Sequence, residues 1–114
     1  MDEKIIKLLY DIEMAIQAIN SFCYGKSKID YQNQLILRSA VERQYDIIGE
    51  ALSKIRKIDA AFLSQISESE KIIAFRNILI HAYDVVDPNI AWDILENKLP
   101  ILYREIIHLL QTNQ

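Results

Sequence analysis

Apolar residues recur along this chain at intervals of three and four, the spacing that gathers them on one side of a helix. Over residues 2–23 they are Ile5, Leu8, Leu9, Ile12, Ala15, Ile16, Ile19 and Phe22. Gly25 then supplies a C-terminal stop, and the polar stretch GKSKID makes a short connection. A second stripe, Leu37, Val41, Tyr45, Ile48, Leu52 and Ile55, predicts a helix over 31–56 capped by Asp30. Glu42, Arg43, Asp46 and Glu50 are expected to face away from that stripe. Gly49 falls inside this helix, where glycine costs about 1 kcal/mol relative to alanine, and a close helix crossing would account for it.

Residues 57–68 are patterned weakly, with one short helical turn expected around Ala60–Leu63. A third long helix is expected from Ser69, a candidate cap, to Tyr83. Asp87 followed by Pro88 is a cap residue with proline at the first helical position, and it starts a last helix that runs to about Leu110 and kinks at Pro100. There is no internal repeat, low-complexity segment or linker. The pattern predicts an all-α protein, an up-and-down four-helix bundle with a short additional helix, forming one domain over residues 1–114.

Composition sharpens this picture. Two glycines and two prolines leave little material for hairpins or long loops, which favours helices, and no phosphate-cradling glycine loop can be built, which removes ATPase readings. A net charge of −3 argues against a broad basic surface for nonspecific nucleic-acid binding. It leaves room for a local basic cleft. Lys54, Arg56 and Lys57 cluster, with Arg38 and Arg43 upstream, although a solvated helix surface is the plainer reading of such charges. Cys23 is the sole cysteine, so no intrachain disulfide forms; it lies on the apolar helix face as packing, and a reducing cytoplasm is expected. The opening MDEKIIKLLYDIE has no signal-peptide apolar core, and no run approaches the ~18 apolar residues of a membrane span. A soluble, cytoplasmic protein without membrane partners is expected.

Residues 74–83, AFRNILIHAY, set an arginine, an asparagine and a histidine into an otherwise apolar helix. On a wheel of 100° per residue, Arg76 falls about 40° from Ile72 and so lies inside the apolar arc. Asn77 and His81, four residues apart, share a stripe roughly 100–140° away from it. Most of the remaining circumference is apolar, as in a helix central to a core or shared between two subunits. A guanidinium in such a place must meet a carboxylate, a phosphate or water. Two readings fit: a structural salt bridge to Glu42, Asp46 or Glu50, or an anion site. His81 by itself fits a satisfied core histidine. Together the three residues offer a phosphate binder, an amide and a titratable imidazole.

Arg76-Asn77-Ile78-Leu79-Ile80-His81-Ala82-Tyr83 resembles the R-x4-H-x-Y form of the R-x4-6-H motif of HEPN domains. VERQYDIIGEAL at 41–52 is similar to the second-helix segment of HepT-type HEPN toxins, and DPNIAWDILENKLPIL at 87–102 resembles their last helix. The resemblance spans the chain. It implies the HEPN fold and a homodimeric, metal-independent ribonuclease without cofactor. It further implies the toxin of a type VII-like HEPN/MNT toxin–antitoxin system, paired with a nucleotidyltransferase antitoxin that adenylylates the motif tyrosine, here Tyr83. Arg76 and His81 become the catalytic residues, with Asn77 in support.

The chemistry suits the residue types. RNA carries its own nucleophile, the 2′-OH, beside every internal phosphate. Cleavage then needs proton transfer, for which an imidazole is suited at neutral pH, and stabilisation of charge on phosphorus, for which a guanidinium is suited. Asn77 could hold the His81 ring or touch the phosphate. A twofold dimer would supply two copies of His81, an acid and a base.

Two alternatives stand beside this reading. Glu105-Ile106-Ile107-His108 has the E-x-x-H spacing of di-iron helical bundles, but His81 has Ile78 three residues before it, so only a site shared by two subunits could be completed. His108 otherwise reads as an ordinary cation near a helix C-terminus. The second alternative is a non-catalytic helical dimer that binds a nucleotidyltransferase partner or a nucleotide.

Overall fold

The computed structural model describes residues 2–81 and 86–112. Its elements are α1 (Glu3–Cys23), α2 (Lys28–Asn33), α3 (Leu35–Ile58), α4 (Ala60–Leu63), α5 (Ser69–His81), α6 (Pro88–Asp93), a π-helical segment (Ile94–Lys98) and α7 (Leu99–Thr112). The long rods α1, α3, α5 and the continuous α6–α7 unit make an all-α, up-and-down bundle, and the described residues include no strand.

The expected stripes form most of the core, although Phe22 near the end of α1 is exposed and Leu8 is only partly buried. Leu9, Ile12, Ile16 and Ile19 of α1 meet Val41, Tyr45, Ile48, Leu52 and Ile55 of α3 and Leu102 and Ile106 of α7 in one buried cluster. Cys23 joins it, and burial pushes its thiol pKa up. Tyr45 is fully buried; its ring meets Phe75 edge-on at 5.3 Å and its hydroxyl donates to the Ala91 carbonyl at 2.7 Å, tying α3 to α5 and α6. A buried hydroxyl needs such an acceptor.

Polar side chains end the helices where the apolar pattern stops. Asp2 accepts from the Lys4 N–H to cap α1. Gly25 adopts φ +72°, the left-handed conformation that releases the chain after α1 at little steric cost. Asp59 caps α4, the short turn expected at Ala60–Leu63, and Asp87 caps α6 with Pro88 behind it. Before Pro100 the helix widens into i→i+5 bonding, Leu99 N–H to Ile94 carbonyl, which accommodates a residue that has no N–H and crowds the carbonyl four positions earlier.

The expected helix 31–56 needs correction. The cap is Ser27, in a reciprocal capping box with Asp30, and helix α2 begins at Lys28 inside the presumed connection. The Ser27 N–H bond is also the main reason the Asp30 carboxyl sits below its usual pKa. Gln34 then turns to extended backbone before α3 starts. The break has a packing reason. In one unbroken helix Tyr31 would lie about 120° from Leu37, yet both are buried. Arg38 donates to the Gln32 carbonyl at 2.7 Å, satisfying an acceptor near the break. Ser69 is the first residue of α5 and is itself buried, rather than an exposed cap. Residues 82 and 83 of the expected third helix lie outside the described residues.

Candidate active site

Helix α5 packs one side, Ile72, Ile73 and Phe75, into the core. Arg76 lies between Ile72 and Ile73 around the helix and crosses α3 directly over Gly49. A methyl group at Gly49 would overlap the first carbons of the Arg76 side chain, so glycine is what allows the two helices to meet here. This is the close crossing that a mid-helix glycine suggested.

The guanidinium then reaches two carboxylates one turn apart on α3. Nε donates to Asp46 Oδ1 at 3.0 Å and Nη2 to Glu50 Oε2 at 2.6 Å. Asp46 and Glu50 thus turn toward α5 instead of away from every neighbour, because α3 is sandwiched between α1 and α5. Glu42 is not a partner of Arg76; it lies half-buried, and its carboxyl pKa is raised by burial and eased by the charge of Arg38. Nη1 of Arg76 lies 3.4 Å from Asn77 Oδ1. Of the five guanidinium N–H bonds, two are left without a protein partner among the described residues.

Arg76 is 19% exposed and lines an open cavity of about 380 Å³ with Leu8, Asp11, Arg43, Asp46 and Glu50 among others. It is therefore tied on one side and open to solvent on the other. Asn77 and His81 are exposed on the outer side of α5, and no hydrogen bond joins them to each other among the described residues. Ile78 and Ile80 stand beside them, 55% and 47% exposed. Tyr83 lies outside the described residues.

A ribonuclease HepT-like family profile matches residues 12–109. The chain belongs to the HepT-like ribonuclease family. Full-length similarity supports the assignment: the HepT-like chain is 31% identical over 110 residues to "Putative RNase MJ1380" of Methanocaldococcus jannaschii, covering 93% of this chain and 97% of that protein. It is 29% identical over 104 residues to "Putative RNase TTE0752" of Caldanaerobacter subterraneus subsp. tengcongensis, covering 91% and 88%. A third relative, "Gamma-glutamylcyclotransferase and putative RNase MJ0434" of Methanocaldococcus jannaschii, is 28% identical over 97 residues; the match takes in 85% of this chain but only 43% of that longer protein. No solved structure matches the chain at comparable significance.

The second histidine of this HepT-like chain sits elsewhere. Glu105 accepts from the Ser67 N–H at 3.2 Å and from the Ser67 hydroxyl at 3.1 Å, so its carboxylate fastens the loop before α5 to α7. His108 lines a different cavity, with Asp2 and Asp59. Among the described residues no group of three or more His, Cys, Asp or Glu side chains is placed to hold a metal ion. No helix among them is long and apolar enough to cross a membrane.

Proposed function

We propose that this chain is the toxin of a HEPN/MNT-type pair, a metal-independent endoribonuclease that works as a homodimer. The observation that carries the reading is the makeup of α5, with Arg76 on the side that faces α3 and Asn77 and His81 on the outer side. Arg76 and Asn77 lie side by side, His81 follows one turn later, and the exposed residues between are isoleucines suited to a twofold partner.

In the dimer, one His81 takes the proton from the 2′-OH. The O2′–phosphorus bond forms, the phosphorus–O5′ bond breaks, and the second His81 protonates the departing 5′-oxygen. Arg76 stabilises the charge on the phosphoryl oxygens with its remaining N–H bonds. Asp46 and Glu50 hold that guanidinium in place, and Asn77 steadies its Nη1. The products are a 2′,3′-cyclic phosphate and a 5′-hydroxyl.

A nucleotidyltransferase antitoxin silences this activity by adenylylating Tyr83. The tyrosine oxygen attacks the α-phosphorus of ATP and pyrophosphate leaves, so the tyrosine gains a bulky anion that competes with an RNA phosphate. The family membership, the RNase names of the relatives and the Arg76–Asn77–His81 segment support this assignment.

A second reading has its own observation. Two carboxylates on Arg76 are what a purely structural guanidinium would have, and the protein would then be a non-catalytic dimer that binds its nucleotidyltransferase partner. Incubating purified protein with total RNA in EDTA separates the two. Cleavage by wild type with 2′,3′-cyclic ends, lost in His81→Ala, is expected. Cleavage that requires added Mg²⁺ or Mn²⁺ would contradict metal independence. No cleavage under any condition, from a folded dimer, would establish the binding module. Light scattering should give about twice the 13.3 kDa chain mass, and intact mass after co-expression with the antitoxin should show an adenylyl adduct on Tyr83.

A further inference from the structure

A second cavity, of about 430 Å³, lies between α1 and the C-terminal part of α3, lined by Lys4, Lys7, Leu8, Lys54, Lys57 and Ile58. Each helix contributes two lysines three residues apart, the spacing that puts both on one face. The cavity shares Leu8 and Lys54 with the cavity that holds Arg76, so the two adjoin. Glu50 stands at the junction: one oxygen is 2.6 Å from Arg76 Nη2 and the other 3.8 Å from Lys54 Nζ. Lys7 is paired with Asp11 at 2.6 Å. Lys4 and Lys57 have no ion-pair partner among the described residues.

With Lys7 and Lys54 paired to Asp11 and Glu50, Lys4 and Lys57 leave the groove a local excess of two positive charges in a chain of net charge −3. Among the described residues only Leu8 and Ile58 of the lining are apolar, and no aromatic ring lines the groove. That combination suits a ligand with regularly spaced negative charges and little demand for base stacking. We propose that the groove carries the phosphate backbone of single-stranded RNA next to the scissile phosphate held at Arg76. Leu8, Ile58 and the lysine stems contact the sugars, while the ammonium groups neutralise successive phosphates. Contacts of this kind position a strand without reading its sequence. The inference rests on the ribonuclease reading of Arg76 and His81. Its position beside the Arg76 cavity, together with the two uncompensated lysines, is what favours RNA over an acidic protein as the occupant.

The test measures binding of a fluorescent single-stranded RNA on a His81→Ala background, so that the RNA stays intact, across a series of salt concentrations. Adding Lys4→Gln and Lys57→Gln should lower the slope of log affinity against log salt by about 1.4, or 0.7 per lost phosphate contact, and weaken binding at 0.1 M salt by roughly 25-fold. A control pair with the same charge change, Lys26→Gln with Lys71→Gln, should leave the slope unaltered, and thermal unfolding confirms that both variants are folded. An unchanged slope in the Lys4/Lys57 variant, with the parent still binding, overturns the groove alone and leaves it to an acidic protein partner. An equal loss in the control pair also overturns it, since net charge would then be the cause. A parent that binds no RNA, together with a wild type that cleaves none, overturns the ribonuclease reading and the groove with it.

Discussion

Replacing Gly49 by alanine would ordinarily stabilise a helix by about 1 kcal/mol, because alanine is the better helix former. Here the sign should reverse. The new methyl would overlap Cβ and Cγ of Arg76, the stem of the side chain and not its flexible end, so α3 and α5 must move apart or the arginine must change rotamer. Overpacking of this kind costs about 1–3 kcal/mol. Either movement also strains the bonds from Arg76 to Asp46 and Glu50. Those carboxyl side chains are 28% and 43% exposed, so water replaces part of what is lost and the two bonds together add about 1 kcal/mol. After subtracting the gain in propensity, the net destabilisation is about 1–3 kcal/mol. For a chain of this size that lowers Tm by roughly 4–15 °C. Thermal and urea unfolding followed by circular dichroism measure it. RNA cleavage should fall as well, because the guanidinium would no longer sit on its two carboxylates. A Gly49→Ala protein that is more stable than wild type, by the propensity gain alone, would refute the close crossing.

Three further outcomes are expected. His81→Ala should leave stability within about 0.5 kcal/mol, since the side chain is exposed, while cleavage falls 10²–10⁴-fold as expected for loss of a general acid or base; the paired readouts are urea unfolding and single-turnover kinetics. Tyr45→Phe removes the donor of a buried 2.7 Å hydrogen bond and should cost about 1 kcal/mol in urea unfolding with no loss of RNA cleavage beyond what unfolding explains. Glu42→Gln should change stability with pH in a defined direction: burial raises the carboxyl pKa in the folded state, so the folded protein binds the proton more tightly than the unfolded chain. Wild type then loses stability relative to Glu42→Gln as pH rises from about 4 towards 7, and a difference that shrinks over that range would show that Glu42 is not desolvated.

The helical class, most core-facing residues of α1 and α3, the short turn at Ala60–Leu63, the cap at Asp87 and the need of Arg76 for a partner were legible in the sequence. Each depends on local rules: a 3.6-residue period, a side-chain oxygen ahead of a helix, or a guanidinium that needs a partner wherever it is placed. The start of α2 was also written locally, in Ser27 and Asp30, but was obscured by the apolar stripe that suggested one longer helix. What one chain's periodicity could not decide was which helix lies against which. Asp46 and Glu50 were candidate partners of Arg76 alongside Glu42, but their place opposite the stripe read as solvent-facing, because a wheel recognises only one buried side whereas α3 has α1 on one flank and α5 on another. Gly49 read as a weak point of its helix until Arg76 was found lying across it. Lys4 and Lys7, more than forty positions before Lys54 and Lys57, joined them in one groove only through the packing of α1 on α3. Propensity and capping act within a few residues of the chain, while charge and shape act through space, so the tertiary structure alone decided where the charges meet.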